Sequence, residues 1–229
     1  MRGSDSSGGT PSLSPPPVVL AAPSGAGKTT IARALVGKEE DFAFSVSATT
    51  RPPREGEVDG VDYWFLTPEV FREMVEGGEF AEWAEVHGKL YGTPRKSLLE
   101  AAEGGRHVIL DIDVQGARQI REAVPEALLL FILPPSVRVL HQRLSGRGTE
   151  EEDSLRLRLN TALQELEAAE TFDFYIINDD LDRAVQEVRE LARRGAPPPG
   201  GTSGSLADAR ELRRGIVSLL ASDELTGAP

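Results

Sequence analysis

Four short apolar runs recur along the chain, and each is followed by a stretch with helical spacing. The runs cover residues 18–21, 107–113, 127–133 and 174–177. Short apolar runs bounded by turn residues are typical of buried strands, and their alternation with helices favours parallel pairing with right-handed crossovers. The pattern predicts an α/β fold with a mainly parallel sheet and flanking helices.

The longest predicted helix begins in the acidic residues 150–153, which suit the positive end of a helix dipole. Its apolar stripe has helical spacing and consists of Leu155, Leu159, Leu163 and Leu166. The other helices predicted after the apolar runs cover about 30–36, 114–124 and 136–144, with a last one ending at Gly195.

Between residues 44 and 92 the pattern changes to short β-like pieces separated by proline and glycine, which indicates a separate lobe. Thr67 and Thr93 are each followed by proline, so each predicts an N-cap at the start of a helix. Residues 80–86 alternate apolar and polar side chains and lead through a turn at 87–88 into a second strand, which predicts a hairpin.

Segments rich in Ser, Gly and Pro flank the patterned region. Residues 1–17 have no hydrophobic pattern and predict a disordered arm, whereas 195–204 have the composition of a linker. One globular domain is therefore expected over 18–194. The tail, residues 205–229, predicts one further helix up to about residue 221.

Composition narrows the possible functions. The net charge of −12 argues against non-specific binding to nucleic acid or to an anionic membrane, and no apolar run reaches the length of a membrane span. The chain has no cysteine, which excludes disulfides and thiolate metal sites and fits a cytoplasmic protein. His87, His107 and His141 are too scattered to indicate a metal site.

The segment 22–29, APSGAGKT, lies between the first apolar run and the first helix, as a phosphate-binding P-loop does. Gly25 and Gly27 allow positive φ and a close approach of the backbone amides to phosphate. Lys28 would reach the terminal phosphates and the Thr29 hydroxyl would face Mg²⁺. The first residue is alanine where the strict pattern has glycine, and an ordinary glycine-rich turn is the alternative interpretation.

Polar residues follow the predicted strands. Asp111 and Asp113 end the second apolar run, and Asn178 follows the last one. Ligands of open α/β sheets bind at the carboxyl ends of the strands, so we expect these side chains near the P-loop.

Several further segments jointly resemble the guanylate kinase family of P-loop nucleoside monophosphate kinases. They are 47–57 (SATTRPPREGE), 59–63 (DGVDY), 82–84 (EWA), 91–92 (YG), 109–116 (ILDIDVQG), 143–148 (RLSGRG) and 177–180 (INDD). The resemblance runs from about residue 18 to 194. It implies a GMP-binding lobe over about 44–98, a lid over about 145–160, and Mg²⁺-dependent transfer of the ATP γ-phosphoryl group to GMP and dGMP.

The resemblance also implies the GMP site. Arg51 and Arg54 would grip the phosphate with help from the phenols of Tyr63 and Tyr91. Glu82 would accept hydrogen bonds from the N1–H and the exocyclic amine of guanine, a donor pair that adenine lacks. The other implied members are Ser47 and Thr93, toward guanine O6, Asp113, toward the base, and Glu57, Asp111 and Arg158.

On the donor side, the implied ATP-binding residues are Ser24, Gly25, Ala26, Gly27, Lys28, Thr29, Thr30, Arg147 and Asn178, the last of them near adenine. The implied catalytic residues are Lys28, Arg51, Arg143, Arg147 and Arg158. Mg²⁺ would be held by Thr29 and, through water, by Asp111. A GMP phosphate with a second pKa of about 6 is already a nucleophile at neutral pH, so no general base is needed.

Two other functions are compatible with parts of the sequence. Guanylate-kinase-like domains of scaffold proteins keep the fold as binding modules, but typically lose the P-loop lysine and the cations of the ATP site. A kinase for another phosphorylated acceptor would not need Glu82 with Ser47. The arginines Arg51 and Arg54 could also be loop residues that pair with nearby glutamates. The sequence does not predict the oligomeric state.

Overall fold

The computed structural model describes residues 13–86, 88–145, 152–197, 199 and 201–222. Most of the predicted arm, the first part of the predicted lid with Arg147, and the last seven residues of the tail lie outside the described residues.

A five-stranded parallel sheet with the order β2-β7-β1-β8-β9 forms the centre of the molecule and confirms the predicted α/β architecture. Its strands are β1 (Val18–Ala21), β2 (Phe42–Phe44), β7 (His107–Asp111), β8 (Leu128–Leu133) and β9 (Phe174–Ile177). Phe44, which the hydrophobic pattern assigned to the lobe, pairs instead with Ile109 in this sheet. The reason is that β2 is an edge strand of only three residues, Phe-Ala-Phe, which is too short a run to predict a strand by itself.

Helices cover both faces of the sheet, and each face has its own buried core. The helices are α1 (Lys28–Lys38), α2 (Pro68–Glu76), α3 (Arg95–Glu103), α4 (Val114–Ala123), α5 (Val137–Ser145), α6 (Glu152–Glu167), α7 (Leu181–Arg194) and α8 (Leu206–Ala221). Among the described residues, no helix is both long enough and apolar enough to cross a bilayer.

The lobe contains a second sheet with the order β4-β3-β6-β5, formed by β3 (Ala48–Thr49), β4 (Trp64–Phe65), β5 (Phe80–Val86) and β6 (Lys89–Pro94). Strands β5 and β6 are antiparallel neighbours, which confirms the predicted hairpin. Phe71 of α2 stacks on Phe80 with ring centroids 4.4 Å apart and fills a small core of the lobe.

The two Thr-Pro pairs behave differently. The Thr67 hydroxyl accepts a hydrogen bond from the amide of Val70, so the predicted cap of α2 is confirmed. The prediction that Thr93 caps α3 is wrong: Pro94 is the N-cap residue and provides no side-chain cap, while the Thr93 hydroxyl donates to Glu82 Oε1 at 2.6 Å.

Both flanking segments contact the domain. Leu13, placed by the sequence in a disordered arm, is buried, and its amide donates to Glu126 Oε1 at 2.5 Å. In the predicted linker, the Ser203 hydroxyl accepts from the amide of Ile177 on the edge strand β9 at 2.9 Å. Helix α8 is packed on α6 with Leu212 and Ile216 buried, so the tail helix shares the core of the domain.

The packing of α8 predicts a specific stability effect. Ile216→Ala should lower the free energy of unfolding by about 2–5 kcal/mol, because a large buried side chain is removed from a closed core. Urea unfolding monitored by circular dichroism measures this change. Val217→Ala, next to it on the exposed side of α8, is the matched control and should change stability by less than about 1 kcal/mol. Equal effects of the two substitutions would show that α8 is not packed as described.

Candidate active site

The P-loop connects the buried strand β1 to helix α1 at the centre of the sheet. Gly25 and Gly27 have φ of +83° and +95°, the left-handed conformation that glycine adopts without strain. A Cβ atom on Gly27 would lie 2.3 Å from Asn178 Nδ2, so both conformation and space require glycine there. The loop therefore has the backbone geometry that the motif predicts.

Two polar side chains hold the loop through a single carbonyl oxygen. Asn178 Nδ2 donates to the Ala26 oxygen at 2.7 Å, and Arg143 Nη1 donates to the same oxygen at 3.2 Å. Arg143 Nη2 also donates to the Asn178 oxygen at 3.1 Å. Asn178, which follows β9, and Arg143 of α5 thus brace the P-loop together.

The Lys28 side chain lies against the carboxyl end of β7. Its Nζ lies 2.8 Å from Asp111 Oδ1 and donates to the Ile112 oxygen at 2.7 Å. Both Lys28 and Asp111 have side chains that are 20% exposed, so the pair is mostly shielded from water. Both of these contacts of the Lys28 ammonium are with oxygens of the protein itself.

A cavity of about 380 Å³ joins the P-loop side to the lobe. Thr29 at the start of α1 and Asp111 at the end of β7 line it on one side, whereas the lobe contributes the side chains that the resemblance implies for phosphate binding. The lining residues on the lobe side include Ser47, Arg51, Arg54, Glu57, Tyr63 and Tyr91. Residues separated by more than 60 positions in sequence therefore face one common space.

The sequence did not single out two other lining residues. Arg33 lies one turn after Thr29 on α1, so the i, i+4 spacing could have placed it on the same face. Ser45 follows β2, and its buried hydroxyl oxygen has no hydrogen-bond partner within the described residues. No local pattern distinguishes Ser45, because its position depends on the pairing of β2 with β7.

Arg51 is held in place by Glu57. Its Nη1 and Nη2 donate to Glu57 Oε2 and Oε1 at 2.9 and 2.8 Å, a bidentate pair that leaves the Arg51 side chain only 13% exposed. The hydrogen bonds from Arg51 lower the pKa of Glu57, with a further contribution from the Arg54 amide. The pairing anticipated as an alternative thus exists for Arg51, but it lies in the wall of the cavity and orients the guanidinium there.

Two phenols complete the polar wall. The Tyr63 and Tyr91 rings meet edge to face with centroids 6.2 Å apart, and the Arg51 guanidinium carbon lies 5.3 Å from the Tyr63 centroid. Burial raises the pKa of Tyr63, which keeps its hydroxyl protonated and able to donate. Arginine and phenol donors on one wall are suited to a phosphate dianion.

Glu82 is a buried carboxyl group on β5. It is 6% exposed, and Thr93 of the neighbouring strand donates to its Oε1. Burial raises the pKa of Glu82 to about 7; Asp113 adds to the rise, while the Thr93 hydroxyl opposes it. A buried acceptor with so few protein donors is suited to a ligand that presents hydrogen-bond donors.

Helix α4 begins beside this carboxyl group. A Cβ atom on Gly116 would lie 3.0 Å from Glu82 Oε2, so a side chain there would crowd the carboxylate. Asp113 is the N-cap of α4, and its Oδ1 accepts from the Gly116 amide at 2.8 Å. Asp113, which the resemblance implies as a base contact, therefore also fixes the start of the helix that faces Glu82.

The remaining implied residues lie around the P-loop or beyond the described parts of the chain. Thr30 is in the first turn of α1, and the Ser24 amide is in the loop itself. Arg158 donates to the Leu144 oxygen at 3.0 Å, at the end of α5. Arg147 lies in 146–151, outside the described residues.

The residues implied for Mg²⁺ supply the oxygen ligands that this ion binds. Thr29 and Asp111 line the same cavity and supply one hydroxyl and one carboxylate oxygen donor. Mg²⁺ prefers oxygen ligands and keeps most of its water while it bridges phosphates, so a sparse protein contribution is sufficient. The described residues contain no group of three or more His, Cys, Asp or Glu side chains that could hold a metal ion.

Comparison with known proteins gives consistent matches. A family model described as guanylate kinase matches residues 14–194. Guanylate kinase from Nitratidesulfovibrio vulgaris is 54% identical over 172 residues, which cover 75% of this chain and 83% of that protein. Guanylate kinase from Caldanaerobacter subterraneus subsp. tengcongensis is 47% identical over 174 residues, covering 76% and 84% of the two chains.

A solved structure shows the same similarity in three dimensions. The crystal structure of guanylate kinase from Anaplasma phagocytophilum matches with a TM-score of 0.63 at 32% sequence identity, and the match covers 86% of this chain and 93% of that one. Helix α8 lies beyond the residues that the family model matches.

Proposed function

The chain belongs to the guanylate kinase family, and from that premise we propose how its residues divide the work of transferring the ATP γ-phosphoryl group to GMP. The protein is an ATP:GMP phosphotransferase. The assignment of individual residues, the use of Mg²⁺ and the acceptance of dGMP are the proposed part.

One observation supports this division most directly. Thr29 and Asp111, beside the P-loop, line the same cavity as Arg51 and Tyr91 of the lobe. Phosphoryl transfer needs the donor and the acceptor phosphates to face each other in line, and little other chemistry from the protein. A single cavity that extends from the end of the P-loop to the proposed acceptor phosphate site is suited to that arrangement.

On the acceptor side, the phosphate of GMP binds Arg51, Arg54, Tyr63 and Tyr91. Glu57 already holds the Arg51 guanidinium at the cavity wall, so Arg51 needs little reorganisation on binding. The acceptor oxygen is ionised at neutral pH, because the second pKa of a phosphate monoester is about 6. Binding therefore positions a nucleophile that is ready to react.

Guanine is recognised deeper in the lobe. Glu82 accepts from the N1–H and the exocyclic amine, while Thr93 holds the Glu82 carboxylate from β6. Ser47 and Asp113 are the further proposed base contacts. The proposed contacts concern the base and the phosphate, which is why we expect dGMP to be accepted as well.

On the donor side, the amides of the P-loop and Lys28 bind the phosphates of ATP, with the loop held in shape by Arg143 and Asn178. Thr29 and, through water, Asp111 would hold Mg²⁺, which would supply charge neutralisation at the ATP phosphates. Arg147 and Arg158 are proposed to approach the transferred group from the lid. A cytoplasmic location remains a prediction from the sequence.

The acceptor assignment is tested with purified protein, Mg²⁺ and radiolabelled ATP. Turnover should be measured side by side on GMP, dGMP, AMP, UMP and CMP. We expect GMP and dGMP to be phosphorylated and AMP to react at least about 10⁴-fold less efficiently, since a site built to hydrogen-bond a substrate rejects analogues that lack those groups. Equal rates on all five nucleotides would contradict the role of Glu82.

The raised pKa of Glu82 predicts a pH dependence for GMP binding. Its carboxyl group has a pKa of about 7 without ligand, and only the ionised form accepts both guanine donors. The affinity for GMP should therefore be highest above pH 7 and fall as the pH drops through 7, approaching a tenfold loss per pH unit well below the pKa. Calorimetric titration with GMP between pH 6 and 8.5 measures this dependence.

Protonation of GMP itself near pH 6 contributes to the same profile and must be separated from it. The variant Glu82→Gln has no titrating group at this position, so its profile reports the phosphate alone. The wild-type protein should lose more affinity than the variant between pH 8 and pH 6.5. Parallel profiles would show that Glu82 does not titrate in this range.

A further inference from the structure

One backbone amide of the P-loop already donates a hydrogen bond to a carboxylate of the protein itself. Glu165, near the end of α6, accepts a hydrogen bond at its Oε2 from the amide of Ser24 at 3.0 Å. The two residues are 141 positions apart, so the contact joins α6 to the loop across the fold. Sequence reasoning did not single out Glu165, because it lies on a helix among several other acidic residues.

Glu165 lies close to groups that favour its anionic form, although burial outweighs them and raises its pKa overall. Burial raises the pKa of Glu165, whereas the Ser24 amide and the charge of Lys28 lower it. Asp113 is the neighbouring group of like charge. Glu165 therefore gains from the cationic and hydrogen-bonding groups with which a P-loop binds phosphate.

Lys28 is engaged by the chain in the same manner. Its Nζ pairs with Asp111 Oδ1 at 2.8 Å. On nucleotide binding, a phosphate oxygen would replace this carboxylate oxygen. Two groups of the loop, the Ser24 amide and the Lys28 ammonium, are thus bound by acidic side chains from α6 and β7.

We propose that Glu165 takes the place of a phosphate oxygen at the Ser24 amide in the ligand-free protein and weakens ATP binding by competing for that donor. This inference rests on the proposed role of the P-loop as the ATP site. The triphosphate of ATP must displace the Glu165 carboxylate from the Ser24 amide. It must also bind close to that carboxylate, whose negative charge repels it. Glu165 thereby sets the affinity for ATP without touching the GMP side of the cavity.

The test compares two substitutions with a matched control. Glu165→Gln keeps the shape and a neutral acceptor, and Glu165→Ala removes the acceptor. Glu167→Gln is the control, since it removes the same charge from the same helix at a residue that pairs with Arg213 of α8. Calorimetry should measure the Kd of a non-hydrolysable ATP analogue with Mg²⁺, and separately the Kd of GMP, for all four proteins.

We expect Glu165→Ala to bind the ATP analogue about 3- to 10-fold more tightly, the range that follows from losing one intramolecular hydrogen bond that competes with the ligand. Glu165→Gln keeps a weaker, neutral acceptor, so its Kd should lie between those of the wild type and Glu165→Ala. The Kd of GMP and both constants of Glu167→Gln should remain at wild-type values. If Glu165 instead served to shape the loop, Glu165→Ala would bind the analogue more weakly and Glu165→Gln would be unchanged, and either result overturns the inference.

The wild-type protein separates this inference from the proposed function. If the wild type binds the analogue and phosphorylates GMP but the Glu165 variants bind no more tightly, only the competition by Glu165 is refuted. If the wild type neither binds the analogue nor transfers phosphate, the proposed ATP site itself is refuted.

Discussion

Lys28→Met is expected to reduce the rate of phosphoryl transfer by at least about 10³-fold while leaving the Kd of GMP near its wild-type value. The substitution keeps the aliphatic stem in the P-loop and removes the charge that stabilises the transferred phosphoryl group. Loss of a single preorganised donor typically costs about 10²–10³ in kcat, and loss of a full charge facing several phosphate oxygens lies at or beyond the upper end of that range. Single-turnover transfer from labelled ATP and calorimetry with GMP measure the two quantities.

The variant also removes the partner of Asp111, so its effect on the fold needs a control. Lys28→Met combined with Asp111→Asn removes both charges and should be as stable as the wild type within about 1 kcal/mol, yet equally inactive. Lys38→Met, at the exposed end of the same helix, should keep full activity. A GMP affinity that falls together with the transfer rate would contradict the separation of donor and acceptor sites.

Glu82→Gln is expected to lower kcat/KM for GMP by about 10²–10³-fold. Hydrogen bonds to a charged group contribute about 1.5–3 kcal/mol each, and the glutamine amide also places a donor against a donor of guanine. The same amide can pair with the N1 and the N6 amine of adenine. The ratio of kcat/KM for GMP to that for AMP should therefore fall by at least about 10²-fold.

Glu85→Gln is the matched control, because it removes a carboxylate from the exposed part of the same strand β5. Its acceptor preference should equal that of the wild type. Steady-state rates with GMP and AMP as acceptors give the comparison. If the Glu82→Gln protein retains the wild-type preference for GMP, residues other than Glu82 recognise guanine.

The parts of the fold that could be predicted are those encoded by local patterns. The strands β1, β7, β8 and β9 are apolar runs because both of their faces are covered, and the P-loop is a contiguous motif between a strand and a helix. Strand β2 was missed because its apolar run is only three residues long. Its existence follows from the pairing with β7, which no local signal reveals.

The two Thr-Pro pairs show the same limit at the level of one side chain. Both have the composition of a helix start, yet only Thr67 uses its hydroxyl as a cap. Thr93 lies opposite Glu82 in the β5–β6 pairing, and the buried carboxylate takes its hydroxyl. A competing acceptor on a neighbouring strand decides whether the threonine hydroxyl caps the helix. Sequence spacing does not reveal that acceptor.

In the site, the motif segments located most of the cavity lining, but the supporting contacts come from distant positions. Asn178, just after β9, and Arg143 of α5 meet at the Ala26 oxygen, and Glu165 reaches Ser24 from α6. Such contacts depend on how the helices cross the sheet. The resemblance could name Asn178 and Arg143, yet it could not show that both brace the loop.

The family match ends at residue 194, but the hydrophobic core does not. An expression plasmid trimmed to that boundary would produce a protein whose α6 has lost its cover, with the ion pairs from Arg210 to Glu170 and from Arg213 to Glu167 broken. The newly bared leucine-rich surface would favour aggregation during purification. Crystallisation and kinetic work should therefore use protein that extends at least through Ala221.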